Sequence, residues 1–118
     1  MQFDPSQLTF NEVGLIPAIA QDHLTGEVLM MAWMNAEAVQ RTIDTRAVTY
    51  WSRSRAEFWV KGLTSGHTQK MIEMRMDCDV DCLLVLIEQV GAACHTNRRS
   101  CFYRRVDKGE IETLSDPL

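Results

Sequence analysis

Asp77-Cys78-Asp79-Val80-Asp81-Cys82 sets three carboxylates at alternate positions, with thiols among them. In an extended segment side chains alternate between faces, so Asp77, Asp79 and Asp81 point one way and Cys78, Val80 and Cys82 the other. Three carboxylates within about 14 Å, at roughly 3.3 Å of rise per residue, repel one another and are awkward to bury without a cation. A hard, oxygen-preferring ion such as Mg2+ relieves that repulsion. The plainer alternative is a solvated turn. The thiols suit zinc if other ligands converge on them and serve as small core residues if they do not.

Further ligands stand downstream. Six residues separate Cys94 from Cys101, enough for a loop to fold back and bring both sulfurs to one ion. With Cys78 they make three protein ligands and leave a fourth tetrahedral position for water, the arrangement of catalytic zinc sites. Three thiolates give such a unit a net charge of about −1, which weakens the Lewis acid and calls for a nearby base or hydrogen-bond partner. His95 adjoins Cys94 and is the candidate general acid/base, with a backbone-bonded loop histidine as the alternative. Ser52-Arg53-Ser54-Arg55 and Lys61-Gly62-Leu63-Thr64-Ser65-Gly66-His67 supply hydroxyls, cations and glycines in two neighbouring loops. That is the chemistry of phosphate binding, although solvated loops share it. His67 reads as a substrate-loop residue and His23 as part of a plain turn.

The elements that must position these groups follow from pattern. Residues 15–22 and 27–34 read as strands joined by the turn His23-Leu24-Thr25-Gly26, with Pro17 marking the first as an edge or interrupted strand. Asn35 is an N-cap, Glu37 suits the first turn, and Ala36, Val39 and Ile43 recur at helical spacing, predicting a helix over 35–45. Residues 47–52 and 56–61 are β-prone. Over 68–81, Ile72, Met74 and Met76 alternate with Met71, Glu73, Arg75 and Asp77, so Cys78 falls on the apolar face toward a core or subunit contact. Cys82 to Ile87 reads as a strand buried on both sides, with Cys82 as core filling. Gly91 ends it, and the last strand closes near Val106. Residues 1–12 are expected to be an irregular arm and 107–118 a loose tail.

The chain of 118 residues is expected to be a single domain, 1–118, with a core that needs no disulfide staples. Its net charge of −4 argues against a general nucleic-acid binder. The N-terminus lacks the basic start and apolar core of a signal peptide, and no apolar run is long enough to cross a bilayer, so the expected location is the cytoplasm. Thiols stay reduced there, and four cysteines between 78 and 101 read as metal-binding or catalytic before they read as disulfides.

Four blocks in this order carry a resemblance: Tyr50-Trp51-Ser52-Arg53-Ser54-Arg55; Trp59-Val60-Lys61-Gly62-Leu63-Thr64-Ser65-Gly66; Asp77 to Asp81; and Ala93-Cys94-His95-Thr96 followed by Ser100-Cys101-Phe102-Tyr103. Together, over roughly residues 14–106, they resemble the phosphoribosyl-AMP cyclohydrolases of histidine biosynthesis. The resemblance implies hydrolytic opening of the purine ring of 1-(5-phosphoribosyl)-AMP between N1 and C6. It implies zinc on Cys78, Cys94 and Cys101, with Cys78 supplied across a homodimer, and Mg2+ on Asp77, Asp79 and Asp81. It implies an α+β fold: a mixed, buckled β-sheet forming a partial barrel with one or two short helices, in an intertwined homodimer. Activated water is then expected at C6 with His95 shuttling the proton, while Mg2+ and the loop residues Ser52, Arg53, Arg55, Lys61, Thr64, Ser65 and His67 hold substrate.

The chain departs from the family pattern in places. Leu63 stands where Glu is frequent, His67 where Asn is, and Asn97 where Gly is, so no role passes to Leu63 or Asn97 and only a weak one to His67. Cys82 is outside the metal motif. Nothing after Val106 resembles the pyrophosphohydrolase domain fused to this enzyme elsewhere, so a single activity is expected. A deaminase would also set zinc-activated water against a purine C6, but its His-x-Glu and Pro-Cys-x-x-Cys signature is absent. A structural zinc module would need a fourth protein ligand and close cysteine pairs, whereas three, eleven and six residues intervene here.

Overall fold

The computed structural model describes residues 1–118. Its central layer is a four-stranded sheet in the order β2-β1-β6-β5, built from β1 (Ile16–Asp22), β2 (Val28–Met34), β5 (Gln69–Met76) and β6 (Leu83–Gln89). β1 runs antiparallel to β2 and parallel to β6, and β5 runs antiparallel to β6. The sheet is therefore mixed, and two bulges, one after Ala20 and one between Met71 and Glu73, buckle it. One α-helix, α1 (Ala36–Thr45), and two hairpin ladders, β3 (Thr49–Ser52) with β4 (Glu57–Val60) and β7 (Arg104–Asp107) with β8 (Glu110–Thr113), complete an α+β fold.

Local chemistry explains the elements. Asn35 caps α1 by accepting the Ala38 amide at 2.8 Å, and Arg46 ends the helix in a left-handed conformation, φ 66°. Thr42 faces inward, donates to the Ala38 carbonyl and accepts the Thr49 amide at 3.0 Å, so the helix end is tied to the start of β3. Strand β1 buries every second residue, Ile16, Ala18, Ala20 and Asp22. The apolar ones pack with Leu29, Met34, Val39, Tyr50, Val85 and Ile87 in one core. The Val48 amide donates to Gln69 O and the Met71 amide to Arg46 O, fastening the segment before β3 to the edge of β5.

Several expectations need correction. Pro17 does not mark an edge: β1 is internal, but pairing with β6 starts only at Ala18, so the missing N–H forfeits no bond to β6. Strand β6 is buried on one face only, with Leu84 and Leu86 half-buried. The bulge at Ile72 reverses the phase of β5, burying Met71 and leaving Ile72 exposed. The strand ends at Met76, so 77–81 is not extended. Pairing resumes there instead as a turn in which the Asp77 amide donates to Cys82 O and Val80 adopts φ 53°. Cys78 consequently sits exposed on this chain rather than in its core, and Cys82 is half-buried. The segment expected to be a loose tail contributes β8, whose residues are all exposed.

Candidate active site

Cys94 and Cys101 are brought together by two different anchors. The Cys101 amide donates to Leu29 O at 2.7 Å and the Ser100 hydroxyl to Val28 O at 2.8 Å, so Cys101 rides on the start of β2. Cys94 lies in a turn closed by its own amide on Arg98 O and by the Asn97 amide on Cys94 O, both 3.0 Å. Arg99 locks the base of that turn with ion pairs to Asp22 at 2.8 Å and Glu27 at 3.0 Å. The two thiols influence one another and titrate apart. Desolvation and Cys94 push Cys101 up to about 11, against the opposing charge of Lys61. Burial also raises Cys94, but the Thr96 hydroxyl, donating to its sulfur at 3.0 Å, with the Thr96 amide, Cys101 and Arg98, brings the net value below that of an ordinary thiol. Two sulfur donors whose pKa values are pushed apart in this way, one lowered and one raised, form a pair that suits a soft ion such as zinc.

Lys61 connects this pair to a cleft. Its half-buried ammonium has its pKa lowered by desolvation and supported by the negative charges of Cys101 and Cys94. The cleft, about 560 Å³, is lined by Ser52, Ser54, Arg55, Lys61, Gly62, Thr64 and Ser65 among others. Five of the seven residues expected to hold substrate thus line one cavity: Ser52, Arg55, Lys61, Thr64 and Ser65. Arg53 lies elsewhere, its guanidinium 5.0 Å from the centre of the Trp33 ring in a second, aromatic groove with Trp51 and Trp59. His67 also lies off the cleft. Its ring packs on Gly91, where an added Cβ would come within 2.8 Å of it, and its amide donates to Ser65 Oγ.

Asp77, Asp79 and Asp81 hold carboxylate oxygens within 4.8 Å of one another, all exposed. Asp77 also caps the turn, because its Oδ1 accepts the amides of Asp81 at 3.0 Å and Cys82 at 3.2 Å. A hydrogen bond with Asp77 and the charges of Asp77 and Asp79 raise the Asp81 pKa. An all-oxygen, mutually repelling set fits a hard divalent cation. This is the only trio of potential metal ligands gathered within one chain, so Cys78 does not join Cys94 and Cys101 there. His95, beside Cys94, is exposed.

A family model described as Phosphoribosyl-AMP cyclohydrolase matches residues 30–103. A relative of that name from Cereibacter sphaeroides is 70% identical over 118 residues, covering 100% of this chain and 99% of the relative. Others from Ruegeria pomeroyi and Roseobacter denitrificans are 64% and 63% identical, covering 100% and 99% of this chain and 99% and 91% of the relatives. The chain belongs to the phosphoribosyl-AMP cyclohydrolase family. It is therefore an enzyme and not a zinc-stabilised binding module.

For a phosphoribosyl-AMP cyclohydrolase, three groups that sequence reasoning passed over are prominent in the geometry. Thr96 donates to the Cys94 sulfur; its adjacency to Cys94-His95 was the available signal. Tyr50, fully buried, donates to Gln69 Oε1 at 2.7 Å, and Gln69 passes the chain on to Gln89 at 2.9 Å. Burial and the charge of Cys101 raise the Tyr50 pKa, so the phenol stays neutral near the thiol pair. Arg98 stacks on Tyr103 at 4.0 Å. Nothing in spacing or periodicity announces a contact of that kind.

Proposed function

We propose that this enzyme opens the purine ring of 1-(5-phosphoribosyl)-AMP hydrolytically at the N1–C6 bond, a cytoplasmic step of L-histidine biosynthesis. What carries the reading is the Cys94–Cys101 thiol pair sharing Lys61 with a cleft of hydroxyls and cations. An acidic protein that concentrates positive charge in one cleft is suited to meet anions there, and this substrate carries two phosphates. Cys94 and Cys101 would hold zinc with Cys78 of the partner subunit. Asp77, Asp79 and Asp81 would hold Mg2+. When bound, zinc supplies a Lewis acid that lowers the pKa of water.

The chain's own residues do the rest. Arg55, Lys61, Ser52, Thr64 and Ser65 bind phosphate oxygens and fix the base against the thiol pair. Arg53 and His67 support the cleft from outside it. His95 takes a proton from the attacking water and delivers one to N1 as the N1–C6 bond breaks. The water oxygen becomes the carboxamide oxygen, and N1 departs as the formimino nitrogen.

A homodimer is part of this proposal. Its support is an apolar groove of about 480 Å³ formed by Phe3, Ile43, Met74, Met76, Leu83 and Gln40, close in sequence to exposed Cys78. A second copy covering the half-open sheet would complete both the partial barrel and the zinc ligand set. All four cysteines are free, as cytoplasmic thiols are. Purine-ring opening followed by absorbance should vanish with a zinc chelator and return with zinc. Inactive Cys78→Ser and Cys101→Ser chains, mixed, should regain about one working site per heterodimer. No recovery would remove the shared site.

A further inference from the structure

Residues 114–118 belong to no helix or strand, yet they bond at four points to the neighbourhood of the Cys94 turn. The Leu118 amide donates to Asn97 O at 2.7 Å, and Asn97 Nδ2 donates back to Leu118 O at 2.8 Å. Arg98 Nε donates to Ser115 O at 2.9 Å, and the Leu114 amide donates to Tyr103 O at 2.7 Å. The Arg98 guanidinium meanwhile lies 4.0 Å from the centre of the Tyr103 ring, which Arg104 also approaches at 5.1 Å.

The turn needs such a hold. Cys101 is bonded to the sheet through Leu29, and Arg99 is paired to Asp22 and Glu27. Between Cys94 and Arg99, residues 95–98 form the tip of the turn, and the hydrogen bonds that leave this tip go to Ser115 and Leu118. Asn97 sits there at φ 62°, a left-handed conformation that asparagine tolerates and most residues do not. Asn97 and Arg98 are also the residues whose backbone closes the turn around Cys94.

We infer that residues 114–118 form a strap that holds the Cys94–His95 turn in register with Cys101, with Asn97 and Arg98 as its positioning residues. The inference rests on Cys94 and Cys101 being zinc ligands and His95 the proton carrier, and it assigns a role in that site to a segment outside every regular element. Outer partners of a metal ligand set its orientation, and their loss commonly weakens metal retention about 10- to 100-fold.

The test compares the full chain with a chain ending at Thr113, with Arg98→Ala, and with the two combined. Asn97→Gly is a milder variant that keeps the left-handed backbone and removes only the Nδ2 bond. In metal-free protein, hydrogen exchange at the Cys94 and Asn97 amides should accelerate about tenfold on truncation, while amides of β1 and β6 stay protected. In the zinc-loaded enzyme, release to a chromogenic chelator should accelerate about tenfold. kcat should fall while KM holds, because the loops proposed to bind phosphate share no hydrogen bond with the strap. Truncation and Arg98→Ala should not multiply, since they cut the same contact. Unchanged exchange and zinc release in the truncated chain, or independent multiplication, would overturn the inference. So would full recovery by Arg98→Lys of zinc retention, which would assign the effect to charge near Cys94. Absence of zinc from the full chain would instead defeat the proposed function, and exchange would then still decide whether the strap holds the turn.

Discussion

The two candidate metal-binding regions are built in opposite ways. The Cys94–Cys101 loop is held by other parts of the fold: β2 carries Cys101, Asp22 and Glu27 hold Arg99, and burial with Cys94 raises the Cys101 thiol while Thr96 helps lower that of Cys94. The Asp77–Asp81 turn is held mainly by one carboxylate and its own backbone, with the Thr9 amide on Val80 O at 2.8 Å and Val80 against the core as its outside anchors, and it exposes every acidic side chain. The first arrangement is preorganised and partly desolvated, with Cys94 buried and Cys101 at the surface, so a ligand bound there feels stronger fields than in open water. The second is wet, and a cation there competes with water. The thiol pair therefore suits a resident ion, and the aspartate turn suits an ion that arrives with a phosphorylated substrate.

The largest expected effect follows from breaking the preorganised half. Cys101→Ser should reduce kcat by on the order of 10⁴-fold, as loss of one member of a cooperating catalytic unit does, and should abolish zinc content measured by atomic absorption. Cys82→Ser, in the same chain and also among carboxylates, should leave both unchanged, because Cys82 lies apart from the pair and its thiol is raised by desolvation, Asp77 and Asp81. If both substitutions released zinc and unfolded the chain, the site would be a closed structural one.

That contrast also explains what could be read from the chain. The alternating and helical stretches were legible: residues 16–22, 28–34 and 36–45 fall where side-chain period and the Asn35 cap put them. The blocks around Ser52-Arg55 and Lys61-Ser65, read as two neighbouring loops of glycine, hydroxyl and cation, do meet along one cleft, with Arg53 and His67 outside it. At Asp77–Asp81 the turn alternative holds and the extended one fails, because a perfect alternation of types is silent about where a strand stops. The hydrogen bonds from Asp77 that end β5 look, in one dimension, like one more polar position. The bulge at Ile72 is equally invisible, since a single extra residue shifts burial without changing composition. Lys61 as neighbour of both thiols, and the strap over Arg98, depend on segments far apart in sequence meeting in space.

A smaller effect separates the frame of the thiol loop from the loop itself. The Asp22 carboxyl is held below the usual carboxylate range, first by the Thr25 hydroxyl, against opposing desolvation, and then by the Leu24 amide and Arg99. Its folded pKa is thus lower than its unfolded value of about 3.9. The stability it contributes is fully present above that unfolded value and is lost as pH falls through the folded one. Asp22→Asn should cost about 1–2 kcal/mol at neutral pH, with a third-exposed Arg99 limiting the ion-pair share. The variant's denaturant midpoint should also depend less on pH below about 4 than the parent's. A parallel pH dependence in both proteins would show that Arg99, and with it the base of the Cys94 turn, does not rely on Asp22.

The smallest effects lie within the aspartate turn, where two neighbours of equal charge should behave differently. Asp77→Ala removes both a candidate Mg2+ ligand and the acceptor for the Asp81 and Cys82 amides, so it should lower Tm by about 2–5 °C and raise the Mg2+ concentration needed for activity. Asp79→Ala removes an exposed carboxylate with no such capping bond and should leave Tm within about 1 °C while shifting the Mg2+ requirement in the same direction. Calorimetry and a Mg2+ titration of the initial rate separate the two. Equal loss of Tm would mean that the capping bonds carry no stability, and an unchanged Mg2+ requirement in both would leave the cluster as a solvated turn with no ion to hold.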